Sequence, residues 1–250
     1  MHPDDPDADP ALRRPGRRAL VIATNHGVLD VGTPTGVFAS ELTVPYYAFR
    51  DAGMAVDVAS PAGGTVPVDP RSLKPVLRCA ADDRFLADPV LREQVTRSLA
   101  VADVDVAGYD LVYLAGGWGA AFDFATSEPL AELVSRADEL GLPIGGVCHG
   151  PLGLLRARRS DGRPLVAGRR ISCVTDKQVH ELGIASTPFH PESALREAGA
   201  VIEARHRFRD PFANHWVVDG NLVTGQNQNA GPMVARLLLG LVPDTPRSPR

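Results

Sequence analysis

The chain has only three cysteines, at positions 79, 148 and 173, and none forms a CxxC pair. That scarcity argues against a disulfide framework and against a four-cysteine zinc site, and it makes a reducing cytosol the expected compartment. Long apolar runs are missing too. No stretch approaches the roughly 18 residues of a membrane span, and no basic, apolar, small-residue succession resembles a signal peptide. Neither sign of charge dominates. Lys and Arg number 26 against 30 Asp and Glu, a net charge of −4, so there is no electrostatic case for nucleic acid or an anionic membrane as partner. The basic "RRPGRR" follows the acidic "DDPDAD", and residues 1–18 read as a solvated tail, as does "PDTPRSPR" at 243–250.

What is present is a chain with a substantial core, 44% hydrophobic and 22% charged. "ALVIAT" (19–24) is a short continuous apolar run, the pattern of a strand buried on both faces. "GVFASELTVPYYAFRDAG" (36–53) reads as a helix ended by Gly53 despite Pro45, and "MAVDVAS" (54–60) as the next strand. This β-α-β order implies a parallel sheet with right-handed crossovers. The alternation resumes with a strand at 110–116, a helix at 127–141 capped by Ser127, a strand at 142–148, a helix at 150–158 and a strand at 169–175. A helix at 191–199, late strands in "AVIEA", "HWVVDG" and "NLVTG", and a closing helix at 231–242 complete the pattern. Residues 61–108 fit less well and read as an insertion or small cap with a helical stretch at 88–100. The expected fold is a single α/β domain over 19–242, a three-layer α/β/α sandwich with a mostly parallel sheet.

In such a sheet, ligands bind beyond the carboxyl ends of the strands. The stretch "LPIGGVCHGPLGLL" (142–155) places Cys148 at such an end, with Gly145, Gly146 and Gly150 around it. Small neighbours permit a sharp, strained turn that projects a nucleophile, and a following helix would favour the thiolate. Cys79 and Cys173 read as inert residues. His149 is adjacent in sequence, but spacing alone does not pair it with the thiol. His26, His180, His190, His206 and His215 compete as the base, and a structural role for His149 stays open.

The segments "AGGWGAAFDF", "GGVCHGPLGLL", "VTDKQVHELG" and "DGNLVTGQNQNAG", in that order, resemble the DJ-1/PfpI superfamily, which is related to class I glutamine amidotransferases. The Cys-His-Gly-Pro form resembles its heat-shock-protein-31-like branch, which includes glyoxalase III enzymes. The resemblance runs from about Leu20 to Leu241. It implies a catalytic set of Cys148, His149, Asp176 and Glu41, with Asp176 orienting the imidazole and Glu181 as the alternative acid. It implies an oxyanion hole from the amides of Gly117 or Trp118 together with His149. Trp118 stands where the family pattern has His, which alters the pocket wall, and Trp118 and His26 are expected to line the substrate site. No counterpart of the metal-binding histidines of some relatives is visible, so neither metal nor cofactor is expected. The implied reaction converts methylglyoxal or a related 2-oxoaldehyde to a 2-hydroxy acid. An amidase or peptidase using the same thiol, and a stress-response holdase or redox sensor, are the rival readings; the family leaves a homodimer open.

Overall fold

The structure, a computed structural model, describes residues 10–183, 186–205 and 213–243. In chain order its strands are β1 (Arg18–Ile22), β2 (Ala55–Ser60), β3 (Leu99–Ala100), β4 (Leu111–Leu114), β5 (Ile144–Val147), β6 (Arg170–Ile171), β7 (Val201–Ile202), β8 (Trp216–Asp219) and β9 (Leu222–Gly225). The helices are α1 (Ala39–Asp51), α2 (Ala80–Ala87), α3 (Pro89–Thr96), α4 (Ala120–Asp123), α5 (Glu128–Glu139), α6 (Asp176–Glu181), α7 (Pro191–Glu197) and α8 (Gly231–Leu241). Seven strands form one sheet in the order β3-β2-β1-β4-β5-β9-β8, and β6 pairs with β7 in a separate two-stranded sheet. All neighbours in the large sheet are parallel except β8 and β9, the hairpin expected at "DGN".

The continuous apolar runs are explained by two covered faces. Along β1, Leu20 and Ile22 enter one core while Val21 enters the other. Along β4, Leu111 and Tyr113 join the core of Val21, and Val112 and Leu114 that of Leu20 and Ile22. This period of two assigns alternate side chains to opposite layers. One layer contains α1, α2, α3 and α8, contributing Phe49, Phe85, Leu91 and Leu238. The other contains α4, α5 and α7, contributing Phe124, Leu130, Val134 and Leu195. Ser127 caps α5 by accepting from the Leu130 N–H at 3.3 Å, as the sequence pattern indicates.

Three elements differ from the sequence expectation. Residues 150–158 form no α-helix; Gly150–Leu154 is a 3₁₀ turn, because Gly150, Pro151 and Gly153 are poor continuers of an α-helix. The run at 169–175 pairs only over β6, outside the large sheet. The segment 61–108 supplies α2, α3 and the edge strand β3, which pairs in parallel with β2. Of the tails expected at 1–18 and 243–250, residues 1–9 and 244–250 lie outside the described residues, as does His206. Residues 10–17 are no solvated tail, because Leu12 packs into the core beside α8, Arg14 donates to the Val242 carbonyl at 3.1 Å and Arg17 pairs with Asp110 at 3.1 Å.

The chain leaves β1 toward β2 and β3 on one side, and returns through β4 toward β5 on the other. The crevice at this reversal lies beyond the ends of β1 and β4, which is where the fold places ligands. The loops after β1 (Thr24–His26), β4 (Gly116–Trp118) and β5 (Cys148) open there, with the first turn of α1 beneath them.

Candidate active site

Cys148 follows the last residue of β5 and has φ +59°, the single positive φ on a non-glycine residue among those described. An L-residue avoids this region because its Cβ crowds the following carbonyl, at a cost of about 1–2 kcal/mol. The surroundings hold it there. Its N–H donates to the Gly225 carbonyl at 3.0 Å, and its carbonyl accepts from Val174 N–H at 3.1 Å. A Cβ on Gly150 would lie 2.2 Å from the Leu114 carbonyl oxygen. The glycines around Cys148 are therefore a packing requirement of the corner.

Cys148 is partly exposed as a residue, and its thiol sits amid four polar groups. His149 Nδ1 is 3.3 Å from Sγ. The backbone N–H groups of Gly117 and His149 point at the sulfur, and the Glu41 carboxyl faces it from α1. Of the two loop amides that the sequence leaves open, Gly117 and Trp118, it is that of Gly117 that meets the sulfur. Gly117 has φ +107°, and a Cβ there would sit 2.4 Å from both Gly36 O and Phe38 N. Only glycine lets this loop pass so close to the entrance of α1 and present its amide.

Glu41 is 1% exposed on the first turn of α1. Burial pushes its carboxyl up to about 8, opposed by hydrogen bonding with Cys148 and the Gly116 N–H. Burial also pushes the Cys148 thiol well up, reinforced by the Glu41 charge, while the Gly117 and His149 amides pull it down. The expected helix-assisted drop in thiol pKa is thus absent: the helix is a 3₁₀ turn, and a carboxyl stands beside the sulfur. The two groups titrate as a pair. The first proton leaves near pH 8, and the second is retained between carboxyl and thiol. His149 is driven down to about 3, first by burial and then by the nearby His190, so its imidazole is neutral.

The acid expected behind His149, Asp176, makes other contacts. Asp176 opens α6, where Thr175 is the N-cap and Gln178 completes the capping box. The Asp176 carboxylate accepts from Ser193 Oγ and lies 4.0 Å from His190 Nδ1, while its N–H donates to Glu192 at 2.9 Å. These contacts draw it toward the start of α7. His149 Nε2 and Asp176 Oδ1 are both buried without a hydrogen-bond partner, so the expected His149–Asp176 bond is not made here. Glu181, the alternative acid, is exposed and pairs with Lys177 at 2.7 Å.

Trp118 is 8% exposed, and its indole lies 4.6 Å from the His149 ring at a tilt of 53°. With Leu29, Val174 and Val179 it forms the apolar wall against which Cys148 packs. His26 is one ring removed. It stacks on Phe122 at 4.0 Å, and its Nε2 is tied to the Val28 carbonyl. Of the other histidines, His190 lies beside Asp176, and His215 sits 3.7 Å from Glu203. Among the described residues no group of three or more His, Cys, Asp or Glu is arranged to hold a metal ion, and no helix is long and apolar enough to cross a membrane.

Gly116 provides a direct test of this packing. A Cβ there would lie 2.3 Å from Glu41 Oε2, 2.5 Å from Val147 O and 2.9 Å from His149 N. Two of these three are backbone atoms that cannot swing away. Gly116→Ala is expected to destabilise the fold by about 1–3 kcal/mol in urea unfolding, and to change the alkylation rate of Cys148 in the folded fraction. Unchanged values for both would contradict the packing described.

The family model described as "DJ-1/PfpI family" matches residues 31–240. The chain is 28% identical to Glyoxalase 3 of Candida albicans over 216 residues, covering 82% of this chain and 88% of that protein. It is 28% identical to the glutathione-independent glyoxalase HSP31 of Saccharomyces cerevisiae over 206 residues, covering 78% and 84%. Among solved structures, the Rapid Encystment Protein 24 kDa of Francisella tularensis superposes with a TM-score of 0.83 at 27% identity, covering 89% of this chain and 97% of that one. Glyoxalase III from Candida albicans superposes with a TM-score of 0.82 at 23% identity, covering 92% and 98%, which speaks to the fold alone.

Proposed function

The chain belongs to the DJ-1/PfpI family, and from that premise we propose that it is a cysteine-dependent, glutathione-independent glyoxalase acting on methylglyoxal or a closely related 2-oxoaldehyde. The observation that carries this reading is the strained Cys148, with its sulfur against the His149 imidazole, the buried Glu41 carboxyl and two backbone N–H groups. The named glyoxalases that align over most of the chain support it.

The reactive form of the Cys148–Glu41 pair holds one proton. As the sulfur adds to the aldehyde carbon its proton passes to the Glu41 carboxylate, a C–S bond forms, and the developing oxyanion accepts from the Gly117 and His149 amides. Glu41 passes its proton to that oxygen, giving a hemithioacetal and leaving a carboxylate. The carboxylate then takes the C1 proton to form an enediolate and returns it to C2, while the C1 hydroxyl proton passes to the C2 oxygen. The aldehyde carbon is thereby oxidised to a thioester while the ketone is reduced to an alcohol, with no external oxidant. Water attacks the thioester, assisted by neutral His149, and the C–S bond breaks to release the 2-hydroxy acid and the thiol. Asp176 enters as an orienting group, its unpartnered Oδ1 available to His149 Nε2. Such hydrogen bonds commonly tighten only when substrate is bound. The apolar wall of Trp118, Leu29 and Val174 suits a small, weakly polar substrate.

The test is lactate formation from methylglyoxal by the purified chain without glutathione. Lactate is the expected product, with kcat/KM rising through an apparent pKa near 8 as the pair loses its first proton. Absence of lactate, or a rate that falls across that range, overturns the reading. The amidohydrolase reading predicts instead ammonia release from amides; no contact in the site favours it.

A further inference from the structure

Tyr113 is a buried titratable residue that the reaction above does not use. It lies on β4, three residues before Gly116, with its side chain in the layer shared by β1, β5 and α1. It is 0% exposed, its ring meets Phe49 edge-on at 6.1 Å, and its register partners are Val21 and Gly145. Nothing in this apolar packing calls for a hydroxyl, and phenylalanine would fill the same space. Yet the hydroxyl is buried with no hydrogen-bond partner, a condition normally avoided because the bonds to water are lost without return. Glu41 Oε2 is buried in the same layer, also without a partner.

The two unpartnered oxygens belong to one electrostatic neighbourhood. The charges that face the Tyr113 phenol are Glu41 and Cys148, and the polar groups that face Glu41 are Cys148 and the Gly116 N–H. On the sulfur side the facing groups are Glu41, the Gly117 and His149 amides and His149 Nδ1. Tyr46, also on this layer and also without a hydroxyl partner, faces a different set: Arg50, Asp88, Asp57 and Arg84. Of these two tyrosines, only Tyr113 feels the charges of the carboxyl and thiol. Its phenol is held well above its ordinary value, first by burial, so it is a neutral O–H donor at every working pH.

We propose that Tyr113 is a positioning residue whose phenol O–H donates through one bridging water to the Glu41 carboxylate behind Cys148, and so sets the pH at which the thiol–carboxyl pair becomes reactive. This rests on the assignment of Cys148 and Glu41 as the working pair. A donor to the charged form lowers a carboxyl pKa; Tyr113 therefore partly counters the burial of Glu41. Removing the hydroxyl leaves the carboxyl more reluctant to ionise and moves the reactive limb to higher pH.

The test reads Cys148 directly and needs no turnover. Iodoacetamide alkylation of wild type, Tyr113→Phe, Glu41→Gln and the double variant is followed across pH by mass spectrometry of the Cys148 peptide. In Tyr113→Phe the limb is expected to move up by about one pH unit with the plateau rate within about twofold of wild type. In the Glu41→Gln background the same change is expected to leave the profile in place. A limb in Tyr113→Phe that coincides with wild type overturns the proposal, since a merely structural tyrosine alters melting but not the limb. An equal shift in the Glu41→Gln background also overturns it, since the phenol would then act without Glu41. Failure to form lactate would refute the glyoxalase reading and leave this alkylation profile to decide the role of Tyr113 separately.

Discussion

Replacing Cys148 with alanine is expected to abolish lactate formation from methylglyoxal, by on the order of 10⁴-fold or more. The reason lies in the order of steps. Without the sulfur no hemithioacetal forms, so Glu41 has no activated C1–H to abstract. The Gly117 and His149 amides, aimed at the sulfur, then have no oxyanion to receive. Alanine keeps a Cβ at φ +59°, so the strain and the flanking bonds to Gly225 and Val174 persist. The variant should therefore fold, with a melting temperature within a few degrees of wild type, and the loss should appear in kcat. Stopped-time lactate assays with matched circular dichroism separate these outcomes. Appreciable lactate from Cys148→Ala would remove the thiol as nucleophile. Suppression of client aggregation that survived the substitution would favour the holdase reading instead.

The strained corner at Cys148 was legible because its constraints are local. A cysteine at a strand end among glycines suits a projecting nucleophile better than a core position, and the backbone around Gly150 leaves no room for a Cβ. The sheet was legible for a similar reason: runs such as "ALVIAT" and "DLVYLAG" lack alternation because both faces are covered. The 3₁₀ turn after Cys148 was hidden by apolar residues that suit a helix as well as a turn. The placement of Asp176 was not legible either. Ser193 comes from α7 and His190 caps its start, and no local pattern announces that the α6 start leans toward them. The direction of the thiol pKa was missed because burial and the Glu41 charge are tertiary quantities. Tyr113 reads in sequence as one more inward side chain of a buried strand. Only its unpartnered hydroxyl in the folded chain distinguishes it.

Glu41→Gln should trade activity against stability. Glutamine keeps the volume but can neither accept the C1 proton nor return it to C2. Loss of a positioned acid–base group costs about 10²–10⁴-fold in rate, and the limb near pH 8 in kcat/KM should vanish with the group that produces it. Stability should move the other way. The carboxyl titrates at 4.5 in an ordinary setting and at about 8 when buried here. Between those values the folded chain therefore binds more protons than the unfolded one. Stability from this residue is fully present below about pH 4.5 and declines as pH rises toward 8, by on the order of 3–5 kcal/mol. Glutamine has no such dependence. Urea unfolding at about pH 5 and about pH 9 should thus show a pH-dependent loss in wild type that is smaller in Glu41→Gln, with the variant the more stable protein in alkali. Asp123 is also raised, mainly by burial, and contributes equally to both chains, so the difference between them reports the coupled Glu41–Cys148 pair. Parallel curves for the two proteins would mean that Glu41 is ionised throughout. The limb near pH 8 in kcat/KM would then have to come from another group. An active site that keeps a carboxyl buried beside its thiol is, on this account, least stable in the pH range where it is most reactive.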